Sequence, residues 1–512
     1  MDKIFVDKIL ILDFGGQYTH LISRRIRELG VYTEILPGNI SFSKIAKNNF
    51  KGIILSGGPS SVYKKDSPKV DKEILKKGIP ILGICYGHQL IAYLLGGKIE
   101  KGKAGEYGLT ELRIIKRSPL FEGLAKKEIV WMNHRDVVKT LPKDFEIIAE
   151  TEYSKIAAYQ NLEKKIFGVQ FHPEVSHTKK GKEILKNFVF KICQVKKEWQ
   201  TKRMIEIIKR EIKNEIGNKK AILALSGGID SLVAAILVNS VIKNNLLSVY
   251  VDTGLMRKED KEIIKRFSRE YKFKLKIINA QKEFFKNLKG IVNPEEKRKI
   301  IGKIFIKIFE RIAKKMNCDI LIQGTIYSDR IESGQTRYSS KIKSHHNVGG
   351  LPKRSFLKIY EPLRNLYKDE VRNIAKILRI PKEIIKRHVF PGPGFAVRII
   401  GEVTPKKVAI VKKATEIIEE ELKRVGYYHK VWMAFPVLLS IKSVGIQGDK
   451  RSYKYPIVIR VVESQDAMTA NFTKIPYSIL EKISQRLTNE IKEINRVVYD
   501  ITNKPPATME WE

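Results

Sequence analysis

A loop rich in glycine and serine, between an apolar strand and an apolar helix, has the composition of a phosphate-binding loop. Residues 221–238 read AILALSGGIDSLVAAILV. The loop consists of Ser226, Gly227, Gly228, Ile229, Asp230, Ser231 and Leu232. Its glycines let backbone N–H groups approach an anion, its serines add hydroxyl donors, and the helix N-terminus carries positive partial charge. Asp230 repels phosphate, so its presence predicts a bridging Mg²⁺. No Gly-Lys-Ser/Thr follows, which excludes a Walker A loop.

A second set of residues could perform nucleophilic catalysis. Cys85 lies in the run Gly83–Gly87, where a predicted strand meets a predicted helix. Small residues at such a junction let a nucleophile project from a sharp turn, and the helix N-terminus favours a thiolate. His172 and Glu174 follow a later apolar strand, and their spacing puts both side chains on one side of an extended chain. They supply a general base and the acid that orients it.

The loop Gly57-Gly58 follows another predicted strand. Its backbone N–H groups, with the N–H of Tyr86, could form an oxyanion hole. Each feature alone has an ordinary explanation: a strand-turn-helix corner, a buried free cysteine, or a capped loop histidine. The elbow cysteine, the His-x-Glu and the Gly-Gly loop in one chain favour chemistry.

Alternating strands and helices must position these residues. In the first block we predict strands at 8–12, 52–55, 80–84 and 167–171, and helices at 19–29, 88–95 and 181–193. After a charged helical connector at 196–220, we predict strands at 221–225, 247–251, 274–278 and 319–322, with a helix at 259–271. Such alternation predicts two parallel sheets with sites at the carboxyl ends of their strands.

The pattern changes after about residue 390, where FPGPGF forms a Pro/Gly-rich hinge. We predict strands at 397–403, 456–462 and 496–501, with helices at 406–425 and 476–492, in a smaller α+β domain. The fold class is therefore α/β, with two doubly wound parallel-sheet domains and a small α+β C-terminal domain. The expected domains are 1–199, 200–390 and 391–512.

The chain is strongly basic, with 97 Lys+Arg against 56 Asp+Glu and a formal net charge of +41. The lysines are scattered over polar helix faces without a basic block interleaved with aromatics, so no specific nucleic-acid partner is expected. Weak, salt-sensitive RNA binding stays open. Three cysteines in 512 residues predict a reducing, cytoplasmic location without a disulfide framework. We find neither a signal peptide nor a membrane-spanning run, so no membrane partner is expected.

Several longer segments carry a family resemblance. The loop at 226–231 resembles that of the PP-loop ATP pyrophosphatases, and the Cys85, His172 and Glu174 set resembles the class I glutamine amidotransferases. The segments ILDFGGQYTHLISRRIRELG, IKSHHNVGGLP, EPLRNLYKDEVR, FPGPGFAVRIIGEVT and NRVVYDITNKPPATMEWE together resemble the glutamine-hydrolysing GMP synthetase family. The resemblance extends from residue 8 to residue 512.

That resemblance implies a carbon–nitrogen ligase with glutamine as nitrogen donor. ATP, with Mg²⁺, would adenylate the O2 oxygen of XMP, and ammonia released from glutamine would displace AMP to give GMP. The implied folds are a class I amidotransferase domain, an adenine-nucleotide α-hydrolase-like PP-loop domain and a C-terminal dimerisation domain. The implied partners are ATP, XMP, glutamine and a second copy of the chain.

The resemblance also implies residue roles. Cys85 would form a γ-glutamyl thioester, His172 would carry the proton, Glu174 would orient His172, and Gln89 would help to bind glutamine. ATP would bind at residues 226–232 with Asp230 on the metal. The expected XMP-binding residues are Asp449, Arg451, Arg460, Lys504 and Glu510. Independently of the resemblance, residues 328–355 are polar, contain glycine and follow the strand predicted at 319–322, so they suit a lid in which Ser344, His345 and His346 could meet phosphate.

The sequence departs from the family pattern at Leu232, where a serine is usual, and at Arg135, where a glycine is usual. The second departure bears on the neighbouring Asp136, an expected glutamine contact. Two other functions compete with this interpretation. A different PP-loop amidotransferase, such as an NAD synthetase, would lack the KPPATMEWE tail. A tRNA-modifying enzyme would fit the charge, but tRNA thiolases often need a cysteine pair, and only Cys318 lies in the second domain.

Overall fold

The computed structural model describes residues 7–46, 48–318, 320–327, 356–464, 470–504 and 506–512. The predicted lid at 328–355, with Ser344, His345 and His346, lies outside the described residues. The chain divides into two compact units, one built from the chain up to Met204 and the other from Ile205 onward. The predicted boundary at 390/391 falls inside the second unit, and the division into three domains stays a prediction.

The first unit is built on one nine-stranded sheet in the order β2-β1-β3-β4-β9-β8-β7-β5-β6. Its strands are β1 Lys8–Asp13, β2 Tyr32–Pro37, β3 Phe50–Leu55, β4 Ile81–Ile84, β5 Lys98–Ile114, β6 Lys127–Thr140, β7 Glu146–Glu150, β8 Ala158–Asn161 and β9 Ile166–Val169. Its helices are α1 Thr19–Glu28, α2 Phe42–Ala46, α3 Tyr86–Leu94 and α4 Gly181–Lys186. The first five strands in the sheet order run parallel. The predicted strands and helices of the site are thereby confirmed within a few residues.

The other half of this sheet is antiparallel and was not predicted. Long strands β5 and β6 pair with a register break between Lys101 and Glu106. The predicted helix at 181–193 is also partly wrong, because its second half, Asn187–Ile192, is a π-helix. The buried Asn187 side chain there donates to the carbonyls of Leu120 and Glu122, and so ties the widened turns to a neighbouring loop.

The second unit contains two sheets. The parallel sheet has the order β12-β11-β10-β13-β14, with β10 Ala221–Ala224, β11 Leu246–Asp252, β12 Lys274–Asn279, β13 Ile320–Ile322 and β14 Lys358–Tyr360. The other sheet is centred on β17 Lys450–Glu463, which pairs with β15 Met433–Leu438, β16 Ser443–Gln447, β18 Asn471–Phe472 and β19 Ile494–Tyr499.

The helices from the connector onward surround these sheets. They are α5 Thr201–Ile216, α6 Ile229–Ile242, α7 Lys258–Glu270, α8 Gln281–Leu288, α9 Pro294–Met316, α10 Lys368–Ile377, α11 Lys382–Ile385, α12 Pro405–Arg424 and α13 Tyr477–Glu490. A single hydrophobic core joins the two sheets, since Ile222 and Leu321 of the first belong to the same buried cluster as Leu438 and Ile459 of the second. No helix among the described residues is long and apolar enough to cross a bilayer.

The prediction of a strand at 397–403 is wrong. Residues Gly394–Arg398 form a 3₁₀ turn, and Ile399 makes only an isolated bridge to Leu438. Gly394 begins that turn with a φ of 64°, and the backbone of Leu255 packs directly against it. An apolar run alone does not distinguish a buried turn of this kind from a strand.

Candidate functional site

Cys85 occupies a strained junction between β4 and α3. Its φ is 51° and its ψ is −103°, a conformation that a residue with a Cβ seldom adopts. The flanking glycines permit the turn because a Cβ on Gly87 would lie 2.3 Å from the carbonyl oxygen of Leu55. A Cβ on Gly83 would lie 2.6 Å from the carbonyl carbon of Gly87. The elbow predicted from the sequence is therefore present, with the thiol of Cys85 buried.

His172 and Glu174 form a buried pair beside this thiol. The Nδ1 atom of His172 lies 2.8 Å from Oε1 of Glu174. Burial alone would lower the pKa of His172, but the negative charges of Glu174 and of the Cys85 thiolate raise it to about 10. A Cβ on Gly57 would lie 3.2 Å from Cε1 of His172 and 3.8 Å from Cβ of Cys85, so the imidazole and the cysteine flank the same glycine. The arrangement favours an imidazolium–thiolate pair.

Other residues, which sequence reasoning missed, fix the imidazole in place. The ring of Tyr18 meets that of His172 edge-on, with centroids 5.0 Å apart. The N–H of His172 donates to the carbonyl of Trp131, and the hydroxyl of Thr178 donates to the carbonyl of His172. Tyr18 belongs to the opening segment FGGQYTH, which was the only signal in the sequence that pointed to it.

The predicted oxyanion loop reaches the elbow. Gly57 lies against His172 and Cys85, and a Cβ on Gly58 would lie 3.3 Å from Cγ of Tyr86. Tyr86 is the first residue of α3. The structure therefore brings Gly57, Gly58 and Tyr86 close to Cys85, as the sequence predicts.

Gln89 lies one helical turn after Cys85 and is 4% exposed. Its Nε2 donates to the carbonyl of Asp136 at 2.7 Å and to Oε1 of Gln170 at 3.1 Å, so both amide hydrogens are engaged within the chain. The carboxylate of Asp136 accepts from the hydroxyl of Tyr63. Arg135 lies in β6 and is not among the residues with positive φ, so the side chain that replaces the usual glycine costs no backbone strain there.

In the second unit, the loop at 226–232 turns from β10 into α6. The hydroxyl of Ser231 donates to the carbonyl of Gly228 and accepts from the N–H of Ser226, while the hydroxyl of Ser226 accepts from the N–H of Gly228. Gly227 has a φ of 87°, which only glycine adopts without strain. The loop is thus held by its own serine hydroxyls, which accept from the N–H groups of Ser226 and Gly228.

Leu232 does not fit its predicted role in ATP binding. Its side chain is fully buried, and its N–H donates to the carbonyl of Gly228. Because its side chain is in the core and its N–H is already hydrogen-bonded, Leu232 has no donor left for a phosphate. Its replacement of the usual serine therefore removes one hydroxyl from the loop.

Asp230 has one oxygen free for a metal. Its Oδ2 accepts from Nζ of Lys368 at 2.6 Å, whereas its buried Oδ1 has no hydrogen-bond partner among the described residues. The sequence pattern did not single out Lys368, which lies in α10. A second carboxylate borders the loop, because a Cβ on Gly227 would lie 3.1 Å from Cβ of Asp260. The Nη1 atom of Arg387 lies 2.6 Å from Oδ1 of Asp260 and forms an ion pair with it.

The residues predicted to bind XMP fall into two groups. Asp449, with a φ of 57°, and Arg451 lie at the exposed turn between β16 and β17. Lys504 and Glu510 lie in the C-terminal tail, where the backbone of Lys504 pairs with Ala470 and the carboxylate of Glu510 accepts two bonds from Arg398.

Arg460 is fully buried, which corrects its predicted role as a direct contact. Its guanidinium donates to Asp500 at 2.6 Å and to the carbonyls of Thr508 and Met509. Because the guanidinium is buried and already bonded to these acceptors, it cannot donate hydrogen bonds to a nucleotide. Arg460 instead positions the tail that carries Glu510.

Comparisons with known proteins identify families and relatives that this chain resembles. Residues 10–192 match the glutamine amidotransferase class-I family, residues 220–384 the phosphoadenosine phosphosulfate reductase domain, and residues 420–511 the GMP synthase C terminal domain. Glutamine-hydrolysing GMP synthases of Caldanaerobacter subterraneus and Carboxydothermus hydrogenoformans are 53% and 51% identical to this chain. The alignments cover 99% of this chain and 99% of each relative. That of Aquifex aeolicus is 50% identical, covering 98% of this chain and 99% of the relative.

The chain belongs to the glutamine-hydrolysing GMP synthase family. The three matched regions account for the observed sites. The amidotransferase region holds Cys85 with its histidine and glutamate, and the reductase-like region holds the PP-loop. The GMP synthase C-terminal region holds Arg460 and the tail residue Glu510. Glutamine-hydrolysing GMP synthases are ligases with an amidotransferase domain, and this member has every part of that architecture.

The buried pair of His172 and Glu174 makes a specific prediction about the glutaminase half of this GMP synthase. In Glu174→Gln the negative charge that raises the pKa of His172 is lost, so the imidazolium and the thiolate lose their support. We expect glutamine hydrolysis, measured as glutamate release, to fall about 10²-fold or more. Histidine NMR titration should show the pKa of His172 falling from about 10 toward the ordinary value.

The same pair contributes to stability in a defined pH window. Because the folded pKa of His172, about 10, lies above the ordinary histidine value of 6.5, its contribution is complete below pH 6.5 and is lost as pH rises through 10. Glu174→Gln should abolish that loss. An unchanged rate of glutamate release in the variant would contradict the assigned role.

Proposed function

We propose that this chain makes GMP from XMP, ATP and glutamine, through an adenylated XMP intermediate. The observation that supports this proposal most directly is the buried arrangement of Cys85, His172 and Glu174 in the first unit, together with a PP-loop in the second unit. Whole-chain identity to GMP synthases supports the choice of XMP as the acceptor. Each half of the reaction follows from one site.

In the glutaminase half, the thiolate of Cys85 attacks the amide carbon of glutamine. The N–H groups of the 57–58 loop and of Tyr86 stabilise the oxyanion, and His172 gives its Nε2 proton to the departing ammonia. A γ-glutamyl thioester remains on Cys85. His172 then takes a proton from water, which attacks the thioester and releases glutamate. The carboxylate of Asp136, half-buried at the site, is proposed to hold the α-ammonium group of glutamine.

In the synthetase half, the PP-loop binds the β- and γ-phosphates of ATP. The O2 oxygen of XMP attacks the α-phosphorus, a bond to the pyrophosphate leaving group breaks, and adenyl-XMP forms. Ammonia then attacks C2 of the purine and displaces AMP. The proposed donors to the pyrophosphate are the hydroxyls of Ser226 and Ser231 and the backbone N–H groups of Gly227, Ile229 and Ser231, while the N–H of Gly228 is bonded to the hydroxyl of Ser226 and shapes the loop. Asp449, Arg451, Lys504 and Glu510 are the proposed XMP contacts.

The proposed metal is Mg²⁺, bound with ATP. The unpartnered Oδ1 of Asp230 is the kind of oxygen ligand that Mg²⁺ takes. Among the described residues no group of three His, Cys, Asp or Glu side chains could hold a metal ion. Such a site fits Mg²⁺, which commonly binds through one or two carboxylates and substrate phosphates. When bound, it neutralises charge on the departing pyrophosphate.

We also propose that two copies pair through the C-terminal sheet. Val444 and Ile446 alternate along β16, and Tyr453 lies opposite Val444 on β17. These three side chains are 50%, 79% and 60% exposed, an apolar face on a projecting hairpin. A second copy of the chain would cover it. The described cysteines are free and buried, which fits the proposed cytoplasmic location.

The nitrogen source tests the two-site assignment. Cys85→Ala should lose glutamine-dependent GMP formation and keep ammonium-dependent GMP formation, because only the first requires the thioester. Cys193→Ala is the matched control, a second buried cysteine of the same unit, and should keep both activities. Failure of the unmodified protein to form GMP from either nitrogen source would overturn the proposed function.

Metal dependence tests the role of Asp230. Asp230→Asn should raise the Mg²⁺ concentration for half-maximal, ammonium-driven GMP formation about tenfold or more, because a neutral amide binds Mg²⁺ more weakly. Glu215→Gln removes a carboxylate from an exposed pair with Lys358 in the same unit and should change nothing. If GMP formation depends on the Mg²⁺ concentration in the same way in the unmodified protein, in Asp230→Asn and in Glu215→Gln, Asp230 is not a ligand.

Sedimentation equilibrium tests the proposed pairing. Ile446→Asp places a charge on the apolar hairpin face and should convert a dimer to a monomer. Tyr107→Asp changes an equally exposed aromatic residue in the first unit and should leave the dimer intact. A monomeric unmodified protein at micromolar concentration would refute the pairing.

A further inference from the structure

A buried pair of ionisable side chains lies next to the proposed glutamine site, and no step above uses it. Glu106 in β5 and His134 in β6 are 4% and 6% exposed. The Oε2 of Glu106 lies 3.0 Å from Nε2 of His134, and its Oε1 accepts from the hydroxyl of Thr151 at 2.7 Å. Both carboxylate oxygens are therefore occupied by partners inside the first unit.

The hydrogen-bond partners fix the charge of the pair. The Nδ1 of His134 lies 3.1 Å from the carbonyl oxygen of Asp136, which can only accept, so Nδ1 carries a proton. The Nε2 atom faces a carboxylate that already accepts from Thr151. One further proton therefore lies between Nε2 and Oε2, which makes the two side chains a buried, hydrogen-bonded pair without net charge. Removal of either partner would leave a buried polar group without its hydrogen-bond partner.

The pair borders a register break in the sheet. Glu106 and His134 are directly opposite each other where the β5–β6 ladder resumes after the break, and Lys101 and Asp136 are the partners on the other side of it. The buried side-chain pair therefore adds a second link between β5 and β6 at the edge of this irregularity, beside the segment that leads to Asp136.

The segment of β6 held in this way touches the glutaminase site twice. The carbonyl of Asp136 accepts from Nδ1 of His134 and also from the Nε2 of Gln89, at 2.7 Å. The carbonyl of Asn133 lies 3.8 Å from the sulfur of Cys85. A shift of this segment would displace the carboxylate of Asp136, the amide of Gln89 and a neighbour of the nucleophile together.

We propose that Glu106 and His134 are positioning residues that set the affinity of this site for glutamine. The proposal deepens the proposed glutaminase function and rests on it. The pair touches no reacting atom. It holds the 133–136 segment in the geometry that receives the substrate, so its loss should act on glutamine binding more than on the chemical step.

A double-mutant cycle read by glutamate release tests the pair. His134→Ala and Glu106→Ala should each raise the KM for glutamine about tenfold or more, equivalent to about 1.4 kcal/mol, while kcat changes less than about threefold. The double variant should be no worse than the worse single variant, because it leaves neither member of the pair without its hydrogen-bond partner. Glu106→Gln keeps an acceptor for His134 and should recover part of the lost affinity.

Two controls separate positioning from general damage. Asn187→Ala removes another buried side chain that holds two carbonyls of the first unit, and it should leave the KM for glutamine unchanged. Ammonium-driven GMP formation should be the same in every variant. If His134→Ala proves insoluble, the conservative pair Glu106→Gln with His134→Gln replaces it and should bind glutamine better than Glu106→Ala.

Some results would overturn the proposal. They are an unchanged KM in both single variants, a loss confined to kcat, or strictly additive effects in the double variant. Failure of the proposed function is distinguishable from these, because glutamate release measures the glutaminase site without XMP. An unmodified protein that releases glutamate but forms no GMP would contradict only the synthetase assignment.

Discussion

At Cys85, and again after Ala224, a buried parallel strand turns within a few residues into the helix that follows it, and both sites depend on that junction. In the first unit the junction forces a residue with a Cβ to a φ of 51°, and close packing of Gly83 and Gly87 maintains it. In the second unit the loop at 226–231 bends through Gly227, whose φ is 87°, and the N–H of Gly228 donates to the hydroxyl of Ser226. The junction at Cys85 places a reactive side chain at a sharp turn, which suits covalent chemistry. The junction after Ala224 is a loop of small and hydroxyl-bearing residues, which suits anion binding.

The parts of these sites that are local in sequence could be predicted, and the parts that depend on long-range pairing could not. The apolar runs of β4 and β10, with glycines after them, identify the two junctions. Lys368, by contrast, reaches Asp230 across 138 residues. The antiparallel strands β5 and β6 were missed, and with them the pairing of Glu106 and His134, because their long, charged sequences lack a clean alternation.

The errors have physical causes as well. Arg460 was predicted to bind XMP, yet its strand lies at the centre of a sheet, where its side chain is covered by the tail. Leu232 was placed in the phosphate loop by its position, although α6 is buried on nearly all sides and takes its side chain into the core. Burial of a side chain depends on which segments cover it, and the sequence around one residue does not contain that information.

Some of the basic side chains lie inside the fold, where they hold the C-terminal tail. Arg460 holds the carbonyls of Thr508 and Met509, Arg398 holds the carboxylate of Glu510, and Lys297 and Arg298 bind Glu512. Lys297 is fully buried and also donates to the carbonyls of Ala396 and Ile399. Buried cations need acceptors on every side, so this tail is held by obligatory pairs rather than by optional surface contacts. These four cations therefore serve the architecture of the tail, and the charge of +41 is not by itself a signature of nucleic-acid binding.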